Sequence, residues 1–239
     1  MNVVALIPHY NHAATVGQVA QAMRAQGLPV LIVDDGSEPA AQQILRDLAA
    51  ADAQIQVVWR AQNGGKGAAV KSGFTAAAAA GHSHVLQVDA DAQHQLADAQ
   101  KLLQAAFRQP EAVVCAEPVY GADAPKSRLY GRKITNFWIW VNTGSHDIRD
   151  GMCGFRLYPL APVQALMQRH PMGERMDFDT DILVRLYWAG VPMVWVPTPV
   201  RYSAQGVSHF RVWRDNWLIS KMHARLFFAM LWQRMGGKP

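Results

Sequence analysis

The first 116 residues alternate short apolar runs with longer amphipathic stretches, a rhythm that predicts strand followed by helix four times and a closing fifth strand. Runs 3–7, 30–33, 55–59, 85–88 and 113–116 read as buried strands. Segments 12–26, 39–51, 66–80 and 97–108 read as helices, with Ser37 and Pro39 as start signals for the second. Such alternation builds an α/β layer with helices flanking a mostly parallel sheet. Beyond residue 116 the rhythm changes. A polar-faced helix with Trp138 and Trp140 on its other side falls within 117–150, and 147–156 reads as a turn and strand. A further helix begins at 178–181 and runs through 182–189, 194–197 reads as a strand, and 211–233 reads as a C-terminal amphipathic helix.

In open α/β sheets ligands meet the carboxyl ends of the strands, and polar clusters stand there. Pro8-His9-Tyr10-Asn11 follows the first strand, Asp34-Asp35-Gly36-Ser37 the second, and Asn63-Gly64-Gly65-Lys66-Gly67 the third. The fourth ends in Asp89-Ala90-Asp91-Ala92-Gln93-His94. Carboxylates on alternate residues at a strand end suit a hard divalent cation, Mg²⁺ or Mn²⁺. An aspartate such as Asp34 or Asp35 is an acceptor for base N–H or ribose hydroxyls, and a glycine turn entering a helix offers backbone N–H groups to phosphate or sugar oxygens. Each cluster taken singly also fits a ligand-free turn, since Asp-Gly and Asn-Gly make tight turns unaided. The run 63–67 has neither dinucleotide nor P-loop spacing.

Composition narrows the classes. Half of the 239 residues are hydrophobic, enough for one large domain with a sizeable core. Cys115 and Cys153 lack metal-ligand spacing and read as small core residues of a reduced, cytoplasmic protein. No signal peptide is expected, and the uncharged stretch 226–233 is too short to span a bilayer. The net charge of +5 is localised: residues 1–210 carry 17 Lys or Arg against 17 Asp or Glu, residues 211–239 six against one. This excludes a nucleic-acid-coated body and points to a basic terminal segment. If 211–233 is helical, Arg211, Arg214, Lys221 and Arg225 form a stripe beside Trp217, Phe228 and Trp232, as on a helix lying on an anionic membrane surface. A helix docked on the core or on a second copy fits the same periodicity.

In this order and spacing the four clusters resemble the motifs of family 2 glycosyltransferases with the GT-A fold, a Rossmann-like arrangement. The segments Asp147 to Tyr158 and Phe178-Asp179-Thr180-Asp181 extend the resemblance towards the dolichol- and polyprenyl-phosphate sugar synthase branch. The segment 206–211 with His223 is also similar, more weakly, to short members of lipid or aryl-polyene pathways. The resemblance covers roughly residues 3–210, taken as the catalytic domain, with 211–239 as an appended helix.

The resemblance implies an inverting, metal-dependent transferase that moves a sugar from a UDP- or GDP-linked donor to a membrane-associated lipid or lipid-phosphate acceptor at the inner face of the cytoplasmic membrane. It assigns Pro8, Tyr10, Asn11, Asp34, Asp35, Lys66 and Asp89 to the donor, and Asp89, Asp91 and Gln93 to Mg²⁺ or Mn²⁺. Arg128, Arg132, Arg156 and Arg201 fall to the acceptor or its phosphate. Asp179 or Asp181 is the candidate general base for a hydroxyl acceptor, whereas an ionised phosphate needs none. For Asp179 a helix N-cap is the competing reading. Two alternatives stand beside the transferase: a nucleotidyltransferase, which would want a basic glycine-rich loop where Pro8-His9-Tyr10-Asn11 stands, and a non-catalytic nucleotide-sugar adaptor.

Overall fold

A computed structural model describes residues 1–121, 124–200 and 211–236, the side chains of Ser127 and Arg128 excepted. Arg201 and the Arg128 side chain thus lie outside the described residues. The alternating half folds as expected: β1 (Val3–His9), α1 (Val16–Ala25), β2 (Val30–Asp34), α2 (Pro39–Ala51), β3 (Ile55–Trp59), α3 (Lys66–Ala79), β4 (His84–Gln87), α4 (Ala99–Arg108) and β5 (Val113–Tyr120). The later half holds α5 (Lys126–Thr143), β6 (Arg156–Pro159), α6 (Leu160–Arg169), α7 (Phe178–Trp188), β7 (Met193–Val200) and α8 (Val212–Arg234). Two starts differ from the sequence reading. α1 begins only after a turn at 12–15, and a short 3₁₀ turn, Leu96–Asp98, precedes α4. Helix α6 was not foreseen: it follows β6 directly, with Pro162 in its first turn, where proline costs no hydrogen bond.

The strands form a seven-stranded sheet in the order β3-β2-β1-β4-β6-β5-β7. All pairings are parallel except those of β6, which runs antiparallel between β4 and β5. Side chains alternate across the sheet, as period-two strands require. Val3, Ala5 and Ile7 of β1 pack with α1, α2 and α4 on one face, while Val4 and Leu6 pack with α3, α6 and α7 on the other. Burial on both faces explains why these strands read as continuous apolar runs.

Helix α8 belongs to the second layer. Its Met222 and Leu226 join the same core as Ile139 of α5 and Ile182 of α7. The contact is fastened by charge: Asp181, fully buried, accepts Arg185 Nε at 2.8 Å and the Gly173 N–H at 3.0 Å, and is also bonded by Arg225 of α8. Beside it His223 is buried against Asn142, and burial pushes its pKa down to about 4.

Two outcomes follow from this packing. Asp181→Ala strands the buried Arg185 guanidinium, so chemical denaturation should show a loss of about 3–5 kcal/mol, the usual cost of breaking a buried ion pair from one side. Against this, the unfolded chain protonates His223 near its ordinary 6.5 and the folded chain only near 4. Stability present above pH 6.5 is therefore lost as pH falls towards 4. Thermal melts should record that decline, and His223→Leu should flatten part of it.

Candidate active site

A cleft of about 760 Å³ opens at the carboxyl ends of β1 and β4 and is closed on its far side by α5 and the start of α8. Pro8, Tyr10, Asp35, Lys66, Asp89, Asp91 and Gln93 all line it. Arg132 and Asp179 also face it. These sequence-selected side chains come from distant segments and meet in one cavity.

The neighbouring aspartates of β2 divide their work. Asp34 is fully buried and accepts from His9 Nδ1 at 3.0 Å, from the Ser37 N–H at 3.1 Å and from Gln42 Nε2 at 3.1 Å. Burial pushes its carboxyl up, but the bonds from Ser37, His9 and Gln42 outweigh that and hold it below the usual range. Asp34 holds the turn and does not line the cleft. Asn11 is likewise spent on the turn: with φ of +54°, its N–H donates to Ser37 Oγ and its side chain accepts from the Glu38 N–H. Asp35 does line the cleft, and it organises the glycine run. Its carboxylate accepts the N–H groups of Gly64 and Gly65 at 3.0 and 2.7 Å, and Arg60 Nε at 2.7 Å. Those two backbone donors, expected at phosphate or sugar oxygens, are thus committed to Asp35. Gly65 sits at φ +104°, and a Cβ there would lie 2.5 Å from Arg175 Cγ, so only glycine fits.

At the cleft floor Lys66 Nζ lies 2.7 Å from Asp89 Oδ1 and 2.8 Å from Asp179 Oδ2. Gln87 Nε2 donates to the other oxygen of Asp179 at 3.1 Å. Burial would raise the Asp89 carboxyl, yet the Lys66 ammonium beside it holds it below the usual range. His94 packs against Phe155 and is pushed down to about 4 by burial, so it is neutral at physiological pH. Helix α7 starts at Phe178 with Asp177 at its N-cap position, so Asp179 sits inside the first turn rather than capping it.

Asp91 Oδ1 accepts the Gln93 N–H at 3.1 Å, the backbone turn that lets the Asp-x-Asp side chains share one cavity. Among the described residues no three His, Cys, Asp or Glu side chains converge as a metal cage. A hard cation held by one or two carboxylates, with water and donor phosphates completing its shell, needs none. The all-oxygen set Asp89, Asp91 and Gln93 therefore fits Mg²⁺ or Mn²⁺.

Two assignments do not survive the geometry. Arg156 has no exposure and donates to the Asp179 carbonyl at 2.6 Å, to Tyr158 Oη and to the Asp150 carbonyl; it braces the floor from beneath and reaches no ligand. Asp181 is buried in its ion pairs behind the cleft, which removes it as a general base. Arg132 is held in the cleft by Asp150, whose carboxylate also accepts the N–H groups of Met152 and Cys153. Three further arginines line the cavity. Arg211 and Arg214 come from the segment read as a membrane stripe, and Arg175 from a loop with no pattern to mark it.

The model of glycosyl transferase family 2 matches residues 4–174. Polyprenol monophosphomannose synthase of Mycolicibacterium smegmatis is 28% identical over 213 residues, 85% of this chain and 78% of that protein. Undecaprenyl-phosphate mannosyltransferase of Micrococcus luteus is 26% identical over 204 residues, 82% of each. Glucosyl-3-phosphoglycerate synthase from Mycobacterium tuberculosis, solved with Mn²⁺, UDP-glucose and phosphoglyceric acid, superposes with a TM-score of 0.65 at 16% identity, over 100% of this chain and 81% of that one. The fold is GT-A, the motifs stand in one cleft, and the chain belongs to glycosyl transferase family 2.

Proposed function

We propose that the protein transfers one sugar, with inversion, from a UDP- or GDP-linked donor to a polyprenyl-type lipid phosphate at an anionic membrane surface. The carrying observation is that Asp35, Lys66, Asp89, Asp91 and Gln93 line the same cavity as Arg132, Arg175, Arg211 and Arg214. Acidic and amide oxygens suit a cation and nucleoside; the guanidinium groups suit anionic oxygens, Arg175 beside the glycine turn at 63–65 and Arg132, Arg211 and Arg214 from α5 and the start of α8. Relatives named for polyprenol and undecaprenyl phosphate support the acceptor class.

In this reading Asp35 and Tyr10 receive the nucleoside, and Asp89, Asp91 and Gln93 hold Mg²⁺ or Mn²⁺ beside the diphosphate. The ion supplies charge neutralisation as negative charge grows on the departing diphosphate. The lipid phosphate attacks the anomeric carbon with an oxygen already ionised, so no side chain needs to remove a proton. Asp179, ion-paired to Lys66, then serves to orient that lysine.

Access from a membrane has its own support. Trp213 is 92% exposed, and Trp217, Phe228 and Trp232 on α8 are exposed with Tyr130, Ile134 and Phe137 on α5. Val212, Arg214 and Gly131 from the same two helices line the cleft. An aromatic and basic surface flanking the cavity mouth suits peripheral attachment to anionic headgroups. No helix among the described residues is long and apolar enough to cross a membrane.

Asp89→Ala or Asp91→Ala should abolish metal-dependent transfer from a nucleotide sugar with the melting profile retained; full transfer by either variant rejects the assignment. Arg214→Ala should raise KM for lipid phosphate at least about tenfold, in line with loss of a charge-assisted bond, and leave KM for the donor nearly unchanged. Because α8 is part of the core, the membrane reading is tested by Trp213→Ser with Trp217→Ser rather than by truncation. Sedimentation with anionic vesicles should fall sharply in that pair, and unchanged binding would make the surface a protein contact.

A further inference from the structure

Asp89 at the end of β4 and Asp179 in the first turn of α7 face one another with a single ammonium between them. Lys66 Nζ is 2.7 and 3.0 Å from the two oxygens of Asp89 and 2.8 Å from Asp179 Oδ2. The Lys66 side chain is only 15% exposed, so water screens the trio little. The wall is shaped to this pairing: a Cβ on Gly154 would lie 2.5 Å from Lys66 Nζ and 2.7 Å from both Asp89 oxygens. Asp89 is also the first carboxylate of the Asp-x-Asp pair. An ammonium within 3.0 Å of both of its oxygens and a divalent ion on the same carboxylate would repel one another at close range.

We propose that Lys66 is a resident counter-ion that makes divalent-cation binding conditional on the donor diphosphate. Without nucleotide the ammonium neutralises Asp89 and competes with the cation for it. The diphosphate offers Lys66 several anionic oxygens, and the flexible four-carbon stem lets the ammonium turn onto them. Asp89 is then released to the cation, which binds carboxylate and diphosphate together. The inference rests on the donor site proposed above and adds an order of assembly to it. By linkage, the factor by which nucleotide tightens the cation equals the factor by which the cation tightens nucleotide.

The test is a Mn²⁺ titration of the full chain followed by electron paramagnetic resonance of the free ion, with and without UDP or GDP and corrected for metal held by free nucleotide. Wild-type protein should bind Mn²⁺ alone weakly, and the matching nucleotide should tighten it by about tenfold or more, within the usual span of coupling between sites. Lys66→Met should bind Mn²⁺ alone about tenfold tighter than wild type and gain correspondingly less from nucleotide, because only the direct ligation by the diphosphate is left to tighten it. That gain should vanish when Asp89→Asn is added. Lys66→Gln, which keeps a polar chain in the cleft, gives the same comparison should the Met variant lose its native circular dichroism. A folded Lys66 variant that binds nucleotide yet holds Mn²⁺ alone no tighter than wild type overturns the inference and leaves the donor site standing. Failure of UDP and GDP to bind any variant, with or without Mn²⁺, overturns the donor site and the inference with it.

Discussion

A permanent charge sealed away from water is the constraint around which the site is assembled. The Arg156 guanidinium has no exposure, and a charge so placed costs several kcal/mol unless oxygens surround it. Its acceptors are the carbonyl of Asp179 at the start of α7, the carbonyl of Asp150 in the loop before β6, and the hydroxyl of Tyr158 within β6. The two terminal nitrogens of one guanidinium thus tie three segments to each other. Two of them carry cleft groups: the Asp179 carboxylate reaches Lys66, and the Asp150 carboxylate grips Arg132. The antiparallel course of β6 between β4 and β5 is what delivers Arg156 to that spot.

The sequence made the frame legible because period-two burial on both sheet faces leaves an unmistakable trace in β1, β2 and β4. It made the strand-end clusters legible for the same reason, since the polar residues begin where the apolar runs stop. What it could not supply was orientation. Asp34 and Asp35 are adjacent and chemically identical, yet one is consumed by His9 and Ser37 while the other reaches the cleft. Asp179 and Asp181 divide in the same manner: two residues along a helix turn a side chain by more than half a revolution. The family resemblance assigns Arg156 to the acceptor, but a matching motif position carries no mark of a side chain's burial.

The terminal excess of positive charge looked like one surface feature but divides between the core, the cleft and, at Lys221, the outer surface. Arg225 turns inward to Asp181, Arg211 and Arg214 face the cleft, and the exposed aromatic residues beside them are left to meet whatever lies outside. Counting charge along a chain locates an imbalance but not its direction. The helix that carries it is joined to the core through Met222 and Leu226, so the surface that borders the cavity mouth and the layer that supports α7 are parts of one element.

The outer strand β7 shows how the sheet ends. The Pro192 carbonyl accepts from Val113 of β5, whereas the Pro199 carbonyl faces the other way and accepts from Gln95. By the two-residue repeat, Pro197 and Pro199 lie on the outward side, where a neighbouring strand would look for N–H donors. Proline has none to give. The chain itself covers the end of this border, where Gln95 bonds Pro199 and His94 bridges Val200, and beside it Pro197 offers a visiting strand no donor.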